Sequence, residues 1–410
     1  MTHGLEAATE RAMKVQEVIL RAMSGQLHWI QAAEILRISD RSMRRWRERY
    51  ERWGYDGLYD RRRHRPSPKR LPFAKAQQIL QLYRERYRGW SVAHFHDQLR
   101  EQHRLRISYT WVKLALQGAG LVAKAPQRGG HRLRRVRRPL PGMLLFQDAS
   151  THAWWPTPDG SQQDLLVILE DATSAVYDAI FVPQEDTRSV LGQLRRVVEA
   201  QGIFCSLYTD KGSHFVTTRQ GQSPHQRQRA ADPTQVERAL RALGISLITA
   251  HSPQARGRME RLFGTWQGRL PQELALRGIQ DYAAANRFLR QTWVAYHRRH
   301  WGVPAGAAGT AFVPCARTDL DRVFALQQER VVANDNTVQY GRVIFQLGPS
   351  SLRVSFAKCR VMVYEQLDGT LSIGYGPHTL GRYDLQGQVL SENGRALTTT
   401  TNHNRTDHQL

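Results

Sequence analysis

The hydrophobic period of this 410-residue chain changes at Gly142, and that change limits what the chain can fold into. Before it, apolar residues recur at helical spacing. After it come short strand-like runs, "MLLFQDAS", "DLLVILEDATS" and "AVYDAIFVP". A helix, "DTRSVLGQLRRVVEAQG", follows, then a strand "IFCSLYTD", a helix over 236–243, a strand "ISLITA", and a helix from about 256 to 276. Three strands in a meander followed by alternating helices and strands describe a mixed sheet flanked by helices.

The helical half is strongly basic. A first helix ends at Gly25, and "HWIQAAEILRIS" then forms a short amphipathic helix through Ala32, Ala33, Ile35 and Leu36. Asp40 is expected to cap the next helix, "DRSMRRWRERYERW", giving a helix-turn-helix. In it Met43, Trp46 and Tyr50 keep an apolar stripe, while Arg41, Arg44, Arg45, Arg47 and Arg49 can reach phosphates or guanine edges. A basic stretch broken by proline, "DRRRHRPSPKR" with Arg61, Arg62 and Arg63, suits a DNA groove. A second helical unit runs from "FAKAQQIL" to "LQGAGL". Behind it "QRGGHRLRRVRRPLPG" places Arg132, Arg134, Arg135 and Arg137 in an extended linker that could track a phosphate backbone.

Over the whole chain 59 Lys and Arg stand against 36 acidic residues, a formal net charge of +23, which points to a polyanionic partner. Double-stranded DNA fits better than a membrane: the longest apolar runs, such as "LLVIL", are far too short to span a bilayer, and the N-terminus is too charged for a signal peptide. A cytoplasmic, nucleoid-associated protein is expected. Cys205, Cys315 and Cys359 lie far apart and suggest neither a disulfide framework nor a zinc site. His297 and His300 read as part of an Arg-rich surface helix rather than as metal ligands.

Three carboxylates stand out. Asp148 is read as ending the first strand, Asp210 ends a later one with Gly212 letting the chain turn away, and Glu260 lies in the first turns of a helix, off its apolar stripe. Strand ends of a mixed sheet converge on one edge, so the three can meet there. Carboxylates without a histidine or cysteine cluster favour Mg²⁺ or Mn²⁺. Two such ions about 3.5–4 Å apart would activate a hydroxyl on one side of a phosphodiester and stabilise the leaving oxygen on the other.

These residues resemble the DDE transposases of bacterial insertion sequences, ISNCY-type above all, which share a ribonuclease-H-like core with retroviral integrases. The resemblance is carried by "QDASTHAWW", "LYTDKGSHF" and "HSPQARGRMERLFGTWQGRL", with "ILEDATS" and "YHRRHWGVPA" beside them, and covers nearly the whole chain. It implies that Asp148, Asp210 and Glu260 are the catalytic and metal-holding residues. The stretch between Asp210 and Glu260 is longer than in many members, the excess falling in "RQGQSPHQRQRAADPTQ", and Glu237 is the alternative for the third acid. Lys211 and His214 could contact DNA ends, as could His152, Trp154 and Trp155. Arg256 and Arg258 are better placed to contact phosphates.

The expected organisation is multidomain. Helix-turn-helix units cover 1–65 and 66–125, a basic linker 126–140, an α/β ribonuclease-H-like core 141–305, a small β-barrel 320–385 and a disordered tail 386–410. The barrel rests on alternating strands such as "SLRVSFAKCRVMVYEQ" joined by Asn-Asp-Asn, Gly-Pro-Ser and Asp-Gly turns. The function implied is binding of the terminal repeats of a mobile element, cleavage to 3′-hydroxyls and joining to target DNA. Since two ends are processed together, a homo-oligomer, dimer or larger, is expected. The alternative is a sequence-specific DNA-binding regulator derived from a transposase with an inactive core.

Overall fold

The computed structural model describes residues 3–58, 71–124, 136–210, 212–215, 233–249, 257–315 and 319–390. Arg61, Arg62, Arg63, Arg132, Arg134, Arg135, Lys211 and Arg256 lie outside the described residues, as do most of "RQGQSPHQRQRAADPTQ" and the tail from 391. The chain divides into two compact units, Met1–Arg88 and Gly89–Leu410.

In the first unit α1 (His3–Met23), α2 (Trp29–Ile35) and α3 (Asp40–Trp53) close on Val15, Val18, Ile19, Ala22, Ala32, Ala33 and Met43, all buried. Trp46, Tyr50 and Leu36 pack against them from the side, whereas Ile35, read as part of the inner face, is 46% exposed. The cap of α3 is Ser39 rather than Asp40: its side chain accepts the Ser42 amide, and Asp40 is the first helical residue. Arg37 turns the chain between α2 and α3 at φ 53°. α4 (Phe73–Arg86) completes the described part of this unit.

The second unit opens with α5 (Val92–Glu101) and α6 (Tyr109–Gly118), started by Ser91 and Ser108 as N-caps. Its sheet runs in the order β3-β2-β1-β4-β5. β1 (Leu145–His152), β2 (Gln163–Glu170) and β3 (Val176–Val182) form the antiparallel meander, and β4 (Ser206–Thr209) and β5 (Ser246–Thr249) add parallel to β1. An antiparallel meander extended by two parallel strands is the ribonuclease-H-like arrangement expected from the sequence.

Alternation along the strands assigns each face its own core. Leu144, Phe146, Leu165, Val167 and Tyr208 face α9 (Gly257–Gln267), α10 (Leu270–Leu276), α11 (Tyr282–Phe288) and α12 (Val294–Trp301). Leu145, Leu166, Ile168 and Leu207 face α7 (Thr187–Gln201) and α8 (Gln235–Ala242). The single helix expected over 256–276 is therefore two, broken around Arg269. Pro271, which has no N–H to donate, opens the second as its first turn. Between α11 and α12, residues Leu289–Trp293 form a π-helical turn whose Leu289 and Trp293 are buried.

α5 belongs to this unit because buried groups hold it there. Glu273 on α10 takes His94 Nε2 at 2.7 Å and Gln98 Nε2 at 2.6 Å, and Arg269 reaches Asp97 at 2.7 Å. A short α13 (Leu320–Phe324) leads to the last strands. Among the described residues no closed barrel forms. β6 (Leu326–Val331), β9 (Arg360–Glu365), β10 (Leu371–Tyr375) and β11 (His378–Tyr383) make an open sheet, and β7 (Thr337–Tyr340) with β8 (Val343–Gln346) a separate hairpin. Sheet and hairpin share one core through Val338, Phe345, Val363 and Ile373, which is the burial that the alternating pattern reported. Before the tail leaves the described residues, Val389 pairs back onto Tyr383.

Candidate catalytic site

Asp148 lies in the middle of β1 rather than at its end, opposite Val167 of β2. β4 is short and hands over to Asp210 directly after Thr209. Phe146 of β1 is level with Tyr208 of β4, and their rings touch at 5.4 Å on one face of the sheet. Continuing that parallel register by two residues sets Asp210 beside Asp148 on the same face.

The turn behind Asp210 is built for its carboxylate. Gly212 donates its amide to Asp210 Oδ1 at 2.8 Å, and a Cβ on residue 212 would stand 2.9 Å from that oxygen. A side chain at 212 would therefore push the Asp210 carboxylate from this position. His214 Nδ1 shares a 2.9 Å hydrogen bond with Thr187 Oγ1 at the start of α7, which ties the loop to the helix.

Glu260 is exposed in the first turn of α9. The path of that helix follows from its two ends. Arg258 meets Asp171, whose amide bonds Leu144 O just before β1, while Gln267 Nε2 donates to Ser150 Oγ on β1 at 3.0 Å. α9 therefore runs alongside β1 over the face that carries Asp148, Asp210 and Ser150. Gln267 and Glu260, seven residues apart, share one side of the helix. Glu237 is elsewhere: it sits on α8, which packs on the opposite face, and its carboxylate is paired with Arg241 at 2.6 Å.

Sequence reasoning missed Glu185, half-buried between β3 and α7. Burial first, then the carboxylates of Asp210, Asp148, Asp164 and Asp186, push its carboxyl up to about 7 from the ordinary 4.5. Its amide donates to Asp164 Oδ2 at 2.8 Å, and Asp164 is also held by Thr151 Oγ1. Nothing in "PQEDTRSV" separates Glu185 from the helix cap beside it; Asp186 is that cap, accepting from Ser189 N at 2.7 Å. Among the described residues, no three His, Cys, Asp or Glu are gathered so closely that they could hold a metal ion.

Other candidates are used differently. Trp154 and Trp155 are buried in the core, with both amides donated to Gln163 Oε1. His152 lies edge-on to Trp154, and burial lowers its pKa. His297 is buried too, correcting its placement on a surface helix. Its Nδ1 accepts from Trp266 Nε1 at 2.9 Å, so its Nε2 carries the proton given to Ser174 O, and burial pushes its pKa down to about 4. On α3, Arg41, Arg44 and Arg45 are exposed over the first turns, the part of such a helix that meets a groove, and Arg49 is half-buried. Arg47 bonds Glu51 and lies over the Trp29 ring at 4.7 Å.

Two family descriptions match the N-terminal region, a helix-turn-helix domain over residues 16–67 and a homeodomain-like domain over 42–116. "Putative transposase y4bF" of Sinorhizobium fredii is 28% identical over 388 residues, 92% of this chain and 81% of its own length. "Transposase for insertion sequence IS1202" of Streptococcus pneumoniae is 28% identical over 290 residues, 62% of this chain and 61% of its own length. Among solved structures, an intasome of simian T-cell lymphotropic virus in complex with a PP2A regulatory subunit gives a TM-score of 0.31 at 12% identity. It covers 70% of this chain and 91% of its own. The HTLV-2 integrase catalytic core in complex with magnesium gives 0.27 at 15%, over 42% of this chain and 95% of its own. At such scores the fold rests on this chain's own strand order. No described helix is long and apolar enough to cross a membrane.

Proposed function

We propose that this chain is an insertion-sequence transposase, which cuts the ends of its mobile element to 3′-hydroxyls and joins them to target DNA in the cytoplasm. The reading is supported by the parallel pairing of β1 with β4, whose register continued by two residues brings Asp210 beside Asp148, and by the Glu260 helix running over that face. An all-oxygen donor set suits a hard cation, and a carboxyl at Glu185 raised by burial first and then by Asp210, Asp148, Asp164 and Asp186 is consistent with a cluster short of positive charge. Asp148, Asp210 and Glu260 would hold Mg²⁺ or Mn²⁺, two ions in all, which when bound supply Lewis-acid stabilisation of the attacking and leaving oxygens.

The chain's own residues do the rest. The Gly212 amide fixes the Asp210 carboxylate, and the His214–Thr187 bond holds the loop behind it. Exposed Arg41, Arg44 and Arg45 on α3 bind the element's terminal repeats, with the basic segments around Arg61–Arg63 and Arg132–Arg135 following the backbone. Two ends are handled together, so the working form is a homo-oligomer on DNA.

The test is cleavage and joining of a labelled duplex carrying the element's end, with Mg²⁺ or Mn²⁺, comparing wild type with Asp210→Asn and Glu260→Gln. Nicked 3′ ends and joined products from wild type, with both variants binding but inert, support the reading. Tight binding by wild type without cutting under either metal removes it and leaves a DNA-binding regulator.

A further inference from the structure

Arg258 does not reach outward from the Glu260 helix; it is turned into the protein onto Asp171, a fully buried residue in the turn after β2. The Asp171 carboxylate forms an ion pair with Arg258, Nε to Oδ1 3.2 Å, and accepts the Arg138 amide at 2.7 Å. Its backbone carbonyl accepts Arg258 Nη1 at 3.0 Å and Arg137 Nη1 at 2.7 Å. One residue thus gathers the β2–β3 turn, the end of the basic linker and the first turn of α9. The turn itself is locked by Glu170, whose carboxylate takes the Ala172 and Thr173 amides and the Thr173 hydroxyl.

An arginine held through Nε and Nη1 is fixed in direction as well as place, because the planar fork permits one orientation. Arg258 is two residues before Glu260, so its anchor limits both rotation and sliding of that turn. Of the first-turn residues only Met259 is buried in the core, and the next apolar contact is Leu262. Arg137 and Arg258 both look from the sequence like phosphate ligands, yet both guanidinium groups are engaged on Asp171.

We propose that Asp171, with Arg258 and Arg137, forms a positioning cluster that sets Glu260 against Asp148 and Asp210, and that these two arginines serve the site by geometry rather than by touching phosphate. This rests on the transposase reading given above.

The test uses the full chain as wild type, Asp171→Asn, Arg258→Lys and Arg137→Ala, with three readouts. These are binding of the element end against salt, the cleavage rate against Mg²⁺ concentration, and amide hydrogen exchange without DNA or metal. Asp171→Asn is expected to bind the end as wild type does with an unchanged salt slope. It should cleave about ten- to a hundredfold more slowly, the usual effect of removing a group that orients a metal ligand. It should also need more Mg²⁺ for half its maximal rate. Amides of 259–262 should exchange faster, while those of β1 and β4 are unchanged. Arg258→Lys, which keeps the charge but not the fork, should fall between. It carries the test alone if Asp171→Asn does not fold. Arg137→Ala should keep the salt slope, whereas an arginine that neutralised a phosphate would, on removal, lower it by about one.

Unchanged exchange and cleavage in Asp171→Asn and Arg258→Lys overturn the proposal, and so does a lowered salt slope in either arginine variant. If wild type never cleaves, the transposase reading fails by itself, and the exchange data still decide whether the cluster holds the Glu260 turn.

Discussion

Replacing Glu185 by Gln should stabilise the protein at pH 8 and do so by only a small fraction of that gain at pH 5. The folded state holds this carboxyl at about 7 against an ordinary 4.5, through burial first and then Asp210 and Asp148. An acid raised in this way keeps its proton in the folded state where the unfolded chain has already released it. The penalty for folding is therefore absent below about pH 4.5, grows through the window between the two values and is complete above about 7. The gap between 4.5 and about 7, at about 1.4 kcal/mol per pH unit, sets a ceiling of about 3.5 kcal/mol. Glu185 is only half-buried, so solvent screening reduces the expected gain to about 1–2 kcal/mol. The assay is urea unfolding of both proteins in EDTA from pH 5 to pH 8, followed by tryptophan fluorescence, since Trp154, Trp155, Trp266 and Trp293 all lie in the core on the Asp148 face. Saturating Mg²⁺ at pH 8 should narrow the difference, because a cation held by the neighbouring acids supplies the missing countercharge. Equal stability of the two proteins at pH 8, or a gain as large at pH 5, would refute the reasoning.

Three further outcomes are expected. Glu260→Gln should lower cleavage by more than about a hundredfold with end binding intact, since even an indirect partner of a metal ligand is worth about 10- to 100-fold; cleavage at the wild-type rate would remove Glu260 from the site. Alanine at Arg44 or Arg45 should weaken binding of the element end, and the slope of log affinity against log salt should fall by about one for each phosphate no longer neutralised; an unchanged slope assigns that arginine no phosphate. Trp154→Ala should cost about 3–5 kcal/mol of stability, as the loss of a fully buried aromatic does, and urea unfolding would show it; a variant as stable as wild type but impaired in DNA binding would return Trp154 to the DNA interface.

Much of the architecture was open to reading because the sequence signals were periodic. The change of period at Gly142 gave the meander and the parallel additions, and Gly212 behind Asp210 marked a strand delivering a carboxylate to a tight turn. What escaped was set by partners distant in the chain. Glu185 looks like any acid beside a helix cap, and only folding places it near Asp148 and Asp210. Trp154 and Trp155 closely follow Asp148 in sequence, yet their amides belong to Gln163 and their rings to the core. Arg258 carries the charge of a phosphate ligand, and the turn at Asp171 takes it. The open C-terminal sheet misled for a related reason. Alternation reports which residues are buried, and a closed barrel and a sheet packed on a hairpin bury the same alternating set.

The choice between Glu260 and Glu237 shows how a question left open by spacing becomes one of parity. Both glutamates follow Asp210, and both sit on helices with an apolar stripe. Phe146 and Tyr208 point to the face covered by α9, while Leu145 and Leu207 point to the face covered by α8. Asp148 and Asp210 are each two residues beyond the first pair, so the register continued by two residues puts both on the face that α9 covers. For Glu237 to join them, both strands would have to shift by one residue, exposing Phe146 and moving Leu145 out of its core. Such a slip would reverse every buried position of β1 and β4 together. Glu237→Gln should therefore lose only the Arg241 pair on the far side of the sheet, worth under about 1 kcal/mol, and cleave at the wild-type rate. A Glu237→Gln variant that binds the element end but does not cut it would show that the active chain pairs these strands in another register.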